Sequence, residues 1–182
     1  TKWIGDIPGV KDADQTVWTV ANDLPDEFDQ NGIPLSVSEG GWGSPPIGFE
    51  YQLTLWGYRL HGNNPLSSTI FKRAKLTYVG LPGGPADAKL DTVYFTQWSD
   101  PDLGTYTDDY VGSDTTLSLG YVYNGNAFDD LFINSYNSPV PAAGYDFLQG
   151  PKIDSNGDGT LDKTLGLTSF TYFAAGSSVS DP

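Results

Sequence analysis

Three segments of the chain alternate large apolar residues with small or polar ones. They are residues 49–58, 70–79 and 91–98. Successive side chains of a β-strand point to opposite faces, so a period of two is typical of a strand with one buried face. An amphipathic helix would instead repeat its apolar residues every three or four positions, and we find no convincing segment of that kind. We therefore expect an all-β fold.

The turns between these segments favour antiparallel strands. Gly62-Asn63-Asn64-Pro65 separates the first two segments, and Asn124-Gly125 is a strong hairpin signal. Further strands are predicted at residues 15–21, 116–123 and 167–174. The 22 glycines and 13 prolines are scattered without a period, which is typical of a loop-rich β protein.

Together the strands and turns predict an antiparallel β-sandwich, jelly-roll-like, with long calcium-binding loops. Residues 1–14 are polar and turn-prone, and we interpret them as an N-terminal arm or linker. Residues 15–182 are predicted to form a single sandwich domain, which is large enough to bury a core without disulfides. Because the chain begins at Thr1 and contains no Met, we expect a piece of a longer protein or a processed product.

The charge of the chain is strongly acidic. It has 23 Asp and Glu against 9 Lys and Arg, for a formal net charge of −14. Such a charge repels nucleic acid and anionic lipid, so we expect neither as a partner. No apolar run approaches the length of a transmembrane helix, so we expect no membrane insertion. An acidic excess suits cation binding, although solubility in a salty or extracellular medium explains the net charge equally well.

The residues available for catalysis are few. The absence of cysteine excludes disulfides, thiolate zinc sites and cysteine nucleophiles. His61 is the single histidine, so a histidine-based zinc triad is not available. A Ser-His-Asp triad through His61 would lack the Gly-x-Ser-x-Gly elbow of many hydrolases. These features favour a binding or structural role over an enzyme.

The sharpest motif is the segment 154–162, which reads Asp-Ser-Asn-Gly-Asp-Gly-Thr-Leu-Asp. Oxygen-bearing side chains fall at loop positions one, three, five and nine, and a glycine falls at position six, as in an EF-hand-type calcium loop. The backbone carbonyl at position seven supplies a further ligand. The predicted ligands of Ca²⁺ are Asp154, Asn156, Asp158, Thr160 and Asp162.

The EF-hand pattern is incomplete in this segment. Position twelve is Leu165, where a complete EF-hand has a bidentate Glu. Flanking helices are not predicted either. The segment therefore resembles the helix-free calcium loops of extracellular proteins, and another carboxylate must complete the ligand shell. A turn of Asp, Asn and Gly without metal is the alternative.

A second acidic cluster lies within residues 98–114. Five carboxylates in fifteen residues repel one another unless a cation or protons neutralise them. We predict a second calcium site here, in which two aspartates at the end of the predicted strand 91–98 share a face and the others close the shell. An exposed acidic loop and a catalytic carboxylate pair are the alternatives. The candidate ligands are Asp100, Asp102, Asp108, Asp109 and Asp114.

Aromatic residues near the acidic segments are candidates for ligand binding. Trp42 lies in a Gly-Gly-Trp-Gly-Ser segment, and Tyr106 and Tyr110 lie beside the second cluster. Stacked on sugar rings, they would make a carbohydrate-binding module. With two carboxylates as acid and base they would make a glycoside hydrolase. Trp42, Trp56, Trp98, Tyr121 and Tyr123 could also form a binding platform. Core packing is the alternative, and it is favoured for Trp56 and Trp98, which lie on predicted strands.

The run 98–124 combines Trp-Ser-Asp-Pro-Asp-Leu-Gly with Asp-Asp-Tyr-Val-Gly-Ser-Asp-Thr-Thr-Leu-Ser-Leu-Gly-Tyr-Val-Tyr-Asn-Gly. Together with Gly-Tyr-Asp-Phe-Leu-Gln-Gly-Pro at residues 144–151, it resembles an uncharacterised module of large exported bacterial proteins. Those proteins often carry a C-terminal type IX secretion sorting domain. The resemblance extends over roughly residues 15–173. It implies a secreted or cell-surface protein of a bacterium, and it implies no catalytic residues.

These observations lead to one expected function and two alternatives. We expect a calcium-stabilised extracellular or cell-surface β-sandwich module with a structural or adhesive role and Ca²⁺ as its cofactor. The alternatives are a carbohydrate-binding module and a glycoside hydrolase that uses the acidic-loop carboxylates. Its partners would be a polysaccharide or other surface proteins.

Overall fold

The computed structural model describes residues 9–24 and 46–173. The described chain is mostly antiparallel β-structure, as expected. It divides into two compact units, Thr1–Tyr94 and Phe95–Pro182. Each unit contains a three-stranded antiparallel sheet. The single sandwich domain predicted for residues 15–182 stays a prediction.

The sheet of the first unit is formed by three consecutive strands. They are β1 (Gln15–Asn22), β2 (Phe49–Gly57) and β3 (Ile70–Tyr78), with β2 in the centre. A short 3₁₀-helix, Pro65–Ser68, begins the turn into β3, and the Asn64 side chain caps it by accepting from Leu66 N–H. The strands predicted at residues 15–21, 49–58 and 70–79 are thereby confirmed.

The alternating pattern of β2 explains the two faces of this sheet. Leu53 and Leu55 lie on one face with Val17 of β1, whereas Trp56 lies on the other face with Phe71 of β3. The Trp56 and Phe71 rings stack with centroids 5.4 Å apart. The guanidinium of Arg73 lies 5.2 Å from the centroid of the Trp56 ring, within the range of a cation–π contact.

Asp23 joins the end of β1 to the beginning of β2. Its carboxylate accepts backbone N–H groups from Ile47 at 2.6 Å, from Gly48 at 3.1 Å and from Phe49 at 2.7 Å. Gly48 has a φ of +84°, and a Cβ there would overlap the backbone of Gly80. The Asp23 side chain therefore ties the two ends of the connection between β1 and β2. The close approach of Gly48 to Gly80 joins the beginning of β2 to the segment after β3.

The sheet of the second unit is formed by β4 (Asp109–Asp114), β5 (Leu119–Asn124) and β6 (Ala142–Asp146), again with the second strand in the centre. Among the described residues, the buried apolar side chains are Leu103 and Val122. The ring of Phe170 lies against the buried Gly120, where a Cβ would come within 2.7 Å of it. Leu103 and Val122 thus mark the small core of this unit, and the partly exposed Phe170 covers Gly120.

Three short elements complete the second unit. A 3₁₀-helix, Tyr106–Asp108, precedes β4, and a helix α1 (Asp130–Tyr136) follows β5. A hairpin is formed by β7 (Lys152–Ile153) and β8 (Lys163–Thr164), each two residues long. The predicted calcium loop is the connection between these two strands. No helix in the described part of the chain is long and apolar enough to span a membrane.

Two predicted strands are absent from the structure. Residues 91–98 and 167–173 form no strand. The alternation of apolar and polar residues did not suffice to form a strand in these two segments, because a strand also needs a neighbouring strand with which to exchange backbone hydrogen bonds. The aspartates at 100 and 102 therefore do not follow a strand.

The strand predicted at residues 116–123 begins later than expected. The Asp114 carboxylate accepts from the N–H groups of Thr116 and Leu117, and Ser118 has a φ of +54°. Side-chain acceptors of this kind compete with strand pairing and favour a turn. The pairing of β5 therefore begins at Leu119.

The sequence analysis also missed three elements. β4 lies within the acidic segment that we read as a loop, and β6 was not predicted. Helix α1 has seven residues, too few to show a helical period. Its ends are nevertheless well defined, since Asp129 caps the first turn and Asn137 adopts a left-handed conformation after the last.

We predict that Asp23→Ala destabilises the first unit by about 1.5–3 kcal/mol, the range for hydrogen bonds to a charged group. The substitution leaves the N–H groups of Ile47 and Phe49 without the carboxylate that accepts them. Thermal and urea unfolding of the full chain measure the loss. Asp87→Ala, at an exposed position of the same unit, is the matched control. Equal stability of the Asp23 and Asp87 variants would contradict the prediction.

Candidate metal centre

The hairpin loop between β7 and β8 is organised by the carboxylate of Asp154. Its Oδ1 accepts backbone N–H groups from Asn156 at 3.2 Å, Gly157 at 2.6 Å and Asp158 at 3.2 Å, and its Oδ2 accepts from Gly159 at 2.6 Å. Both glycines have positive φ angles, +80° and +87°, which other residues rarely adopt. The loop therefore folds around its first aspartate.

The two later aspartates of the loop are held by neighbouring donors. Asp158 accepts from the Thr160 N–H at 2.7 Å and from the Asn156 side-chain amide at 3.1 Å. Asp162 accepts from both the N–H and the hydroxyl of Ser155, each at 2.8 Å. Thr160 contributes its N–H to this network, whereas we predicted its carbonyl as a metal ligand.

These contacts keep the loop aspartates ionised. The Gly159 N–H is the main cause that lowers the pKa of Asp154 below its ordinary value of 3.8, and the Gly157 N–H adds to it. The Thr160 N–H and the Asn156 amide lower the pKa of Asp158. Donation from Ser155 lowers the pKa of Asp162. At neutral pH the loop thus carries three negative charges close together in sequence.

The loop does not have the form of a closed metal site. Within residues 9–24 and 46–173, no three side chains of the His, Cys, Asp and Glu types converge closely enough to hold a metal ion. Loop oxygens that would bind a cation accept hydrogen bonds from the loop itself. The arrangement is a preordered acidic turn, in which side-chain donors must move before several oxygens can face one ion.

A second group of acidic and amide side chains lies where β4 begins and β5 ends. Asp109 and Asn124 are opposite each other in the β4–β5 ladder. Asp108 Oδ2 accepts from the side-chain amides of Asn126 at 2.7 Å and of Asn124 at 3.4 Å, and the Asp108 carbonyl accepts from Gly125 N–H. These contacts place the carboxylate of Asp108 next to the amide of Asn124.

Three oxygens of this group are buried without a hydrogen-bond donor. They are Asp108 Oδ1, Asp109 Oδ1 and Asn124 Oδ1. A buried acceptor that lacks a donor costs roughly 1–3 kcal/mol, and more when it is charged. All three are oxygen acceptors, the ligand type that a hard cation prefers. We call Asp108, Asp109 and Asn124 the oxygen cluster.

Asp129 supports the oxygen cluster from the beginning of α1. Its Oδ1 accepts from Phe132 N–H at 2.6 Å, and its Oδ2 accepts from Thr105 N–H at 2.7 Å. Gly104 has a φ of +87°, and a Cβ there would overlap the Asp129 carboxylate. The segment held in this way includes Leu103, whose N–H donates to Asp109 Oδ2 at 2.9 Å.

Asp129 is itself buried, with 3% of its surface exposed. Burial disfavours its ionised form, but the N–H groups of Phe132 and Thr105 outweigh that effect and hold its pKa below 3.8. Asp129 and Asp108 line the same open cavity of about 320 Å³, together with Asn126 and Asp130. Asp108 is the residue of the oxygen cluster that lines this cavity, whereas Asp109 and Asn124 do not line it.

The carboxylates of the other predicted ligands make no hydrogen bond to this group. Asp100 and Asp102 are exposed. Asp114 lies five residues along β4 from Asp109, roughly 17 Å at the rise of a strand. Its carboxylate caps a turn, and the Thr116 hydroxyl, at 2.6 Å, is the main cause of its lowered pKa.

The predicted aromatic ligands fall in different places. Tyr106 and Tyr110 are exposed at 58% and 57%. Trp42 lies outside the described residues. His61 is exposed, as expected for its turn.

Sequence reasoning missed three contributors to this site, namely Asn124, Asn126 and Asp129. We read Asn124-Gly125 only as a turn, although the spacing of Asn124 and Asn126 places two amides beside one carboxylate. The signal for Asp129 was that aspartate is a typical N-cap residue, whose side chain accepts from the N–H three positions later, here that of Phe132.

Comparisons of the chain with protein-family models, with curated proteins and with solved structures found no significant match. The buried oxygens of the oxygen cluster and the acidic hairpin loop are the two features with a defined chemical requirement.

We predict that the hairpin loop of the calcium-free protein keeps its structure on acidification to below pH 3.8. A carboxylate with a lowered pKa contributes stability that is complete above its unfolded pKa and is lost as the pH falls through the lower folded value. Amide chemical shifts of Gly157 and Gly159, followed by NMR against pH, report protonation of Asp154.

Asp154→Asn is the control for this titration, since it removes the titrating acceptor. Its loop amides should lose the part of the transition that protonation of Asp154 causes, while Asp158 and Asp162 still titrate. A transition of the unsubstituted loop at or above pH 3.8 would contradict the prediction, because it would mean that the N–H donors do not stabilise the ionised form.

Proposed function

We propose that this chain is a calcium-stabilised β-sandwich module of a secreted or cell-surface bacterial protein, with a structural or adhesive role. The observation that carries the proposal is the set of three buried oxygens without donors on Asp108, Asp109 and Asn124. Each unit, taken by itself, contains a three-stranded antiparallel sheet, the element from which β-sandwiches are built. The expected surface location rests on the resemblance to modules of exported proteins.

Calcium is the cation that best fits the oxygen cluster. Ca²⁺ takes six to eight oxygen ligands in flexible geometry, from carboxylates, amide carbonyls and water. Asp108 Oδ1, Asp109 Oδ1 and Asn124 Oδ1 would supply three of them, and water from the adjoining cavity would supply the rest. The two carboxylates also balance the charge of a divalent ion. Mg²⁺ requires stricter octahedral geometry and keeps more of its water.

The hairpin loop is the second calcium site of the proposal. Asp154 Oδ2 accepts one hydrogen bond, and the donors to Asp158 Oδ2 and Asp162 Oδ2 are side chains that can rotate. Movement of the Asn156 amide and the Ser155 hydroxyl would free two oxygens for an ion. Because those hydrogen bonds must be given up, we infer that the loop binds calcium more weakly than the oxygen cluster.

The apolar core of the second unit is small, and bound calcium would add to the free energy of unfolding of this unit. An ion that binds the folded state adds about 2.7 kcal/mol at a hundredfold excess over its Kd. Extracellular modules bind calcium with a Kd of about 10⁻⁴–10⁻³ M, so the effect depends on extracellular concentrations of the ion. The ion would also offset part of the net charge of −14.

We predict that saturating Ca²⁺ raises the thermal midpoint of the second unit by on the order of 10 °C, the shift that corresponds to this gain for a unit of its size. Differential scanning calorimetry in Ca²⁺, in chelator and in Mg²⁺ at matched ionic strength measures it. Mg²⁺ should give a much smaller shift. An unchanged midpoint in Ca²⁺ would reject the proposal.

We further predict that two single substitutions remove different calcium sites. Asp109→Asn should abolish the tighter of two binding events in isothermal titration calorimetry, and Asp158→Ala should abolish the weaker one. Both follow from loss of a carboxylate that the ion needs. Asp102→Asn, at an exposed position of the same acidic segment, should leave both events unchanged.

The pattern of losses tests the assignment of the sites. If Asp109→Asn and Asp102→Asn reduce the affinity equally, general charge attracts the ion and the oxygen cluster is not a site. Circular dichroism of each variant in chelator checks that the fold is retained.

A further inference from the structure

The side of the β4–β5 pair that faces away from the oxygen cluster carries three tyrosines. Tyr110 lies opposite Tyr123 in the ladder, and Tyr121 lies two residues from Tyr123 on the same face of β5. Asp109 and Asn124 are next to Tyr110 and Tyr123 along their strands and therefore lie on the other face. We call Tyr110, Tyr121 and Tyr123 the tyrosine strip.

Two glycines beneath the strip allow the rings of Tyr121 and Tyr110 to pack against the backbone of the sheet. A Cβ at Gly112 would overlap the Tyr121 ring, and a Cβ at Gly125 would overlap the Tyr110 ring. One face of each of these rings therefore rests against backbone that has no side chain. A ring in this position leaves its other face available to a ligand.

The rings of the strip form a nearly continuous surface. Centroids of Tyr110 and Tyr123 are 6.0 Å apart with an interplanar angle of 29°, and centroids of Tyr121 and Tyr123 are 6.0 Å apart with an angle of 37°. Tyr110 is 57% exposed and Tyr123 is 44% exposed. Tyr121 is half-buried. A row of inclined rings, two of them exposed, is broad enough to contact more than one unit of an extended ligand.

The chemistry of the strip favours a neutral sugar polymer as its ligand. The rings offer π faces to the C–H groups of a pyranose, and each phenol adds a hydroxyl that donates and accepts hydrogen bonds. On the same face, Asp114 and Asp146 stand at the other end of β4 and β6, where carboxylates can accept from sugar hydroxyls. The net charge of −14 disfavours acidic polysaccharides and nucleic acids.

We propose that the tyrosine strip is a stacking platform for a neutral polysaccharide, with Tyr123 as its central contact. The inference goes beyond calcium binding and does not depend on it, because the strip lies on the opposite face of β4–β5. Tyr110, named from the sequence as a ligand-binding residue, is one end of the platform. Tyr106 is not part of it, since it lies in the 3₁₀-helix before β4.

The test is retention of the full chain on neutral polysaccharides. Microcrystalline cellulose, chitin, xylan, galactomannan and mixed-linkage β-glucan serve as probes in pull-down and affinity electrophoresis, with polygalacturonate as the acidic comparison. We expect retention by at least one neutral probe and none by polygalacturonate. Tyr123→Ala should weaken that binding by about tenfold or more, as expected for the central aromatic residue of a contact.

Two further variants separate stacking from other causes. Tyr123→Phe keeps the ring and should retain most of the binding. Tyr94→Ala removes a tyrosine of the first unit that is 80% exposed, and it should have no effect. Circular dichroism verifies that each variant is folded.

Several outcomes would overturn the proposal. They are absence of binding to every neutral probe, full binding by Tyr123→Ala, and equal losses in the Tyr123 and Tyr94 variants. Analytical ultracentrifugation adds another: self-association that Tyr123→Ala abolishes would mean that the strip is an interface between copies of this chain. If Tyr123→Ala is unfolded, Tyr110→Ala replaces it and should lower the affinity in the same direction.

Discussion

The hydrogen-bonded ladder between β4 and β5 places Asp109 opposite Asn124 and Tyr110 opposite Tyr123. Side chains alternate between the faces of a sheet, so this register separates buried oxygens on one face from exposed rings on the other. A shift of one residue would move every side chain of a strand to the opposite face. The candidate metal centre and the tyrosine strip therefore depend on one pairing, although they use different chemistry.

Polar contacts set that pairing more than apolar burial does. The second unit has few buried apolar side chains among its described residues, and Asp129, Asp114 and Asp108 instead hold loops and turns around the sheet. Each accepts or positions backbone N–H groups that would otherwise lack a partner. A unit built in this way gathers acidic groups at strand ends, and a bound cation is a direct means of reducing their repulsion.

The strands of the first unit were predicted well from the sequence. Apolar and polar residues alternate along the nine residues of β2 and of β3, and a long run of alternation is a clear strand signal. The second unit was predicted less well. The strand β4 carries Asp109, Gly112 and Asp114, residues typical of turns, and pairing overrode their preference. Of the oxygen cluster, Asp108 and Asp109 were predicted as ligands. Asn124 was not, because its neighbour across the ladder is fifteen residues away and spacing along the chain does not reveal register.

Asp23 has a consequence for how the chain tolerates change. Its carboxylate ties the end of β1 to residues 47–49, so the two ends of the intervening segment are held together by residues outside it. Longer segments add closure entropy slowly, at roughly 0.6 kcal/mol for each doubling. The β1–β2 connection is therefore a place where evolution, or a protein engineer inserting a peptide tag or a second domain, can lengthen the chain while the ladder between the two strands keeps its register.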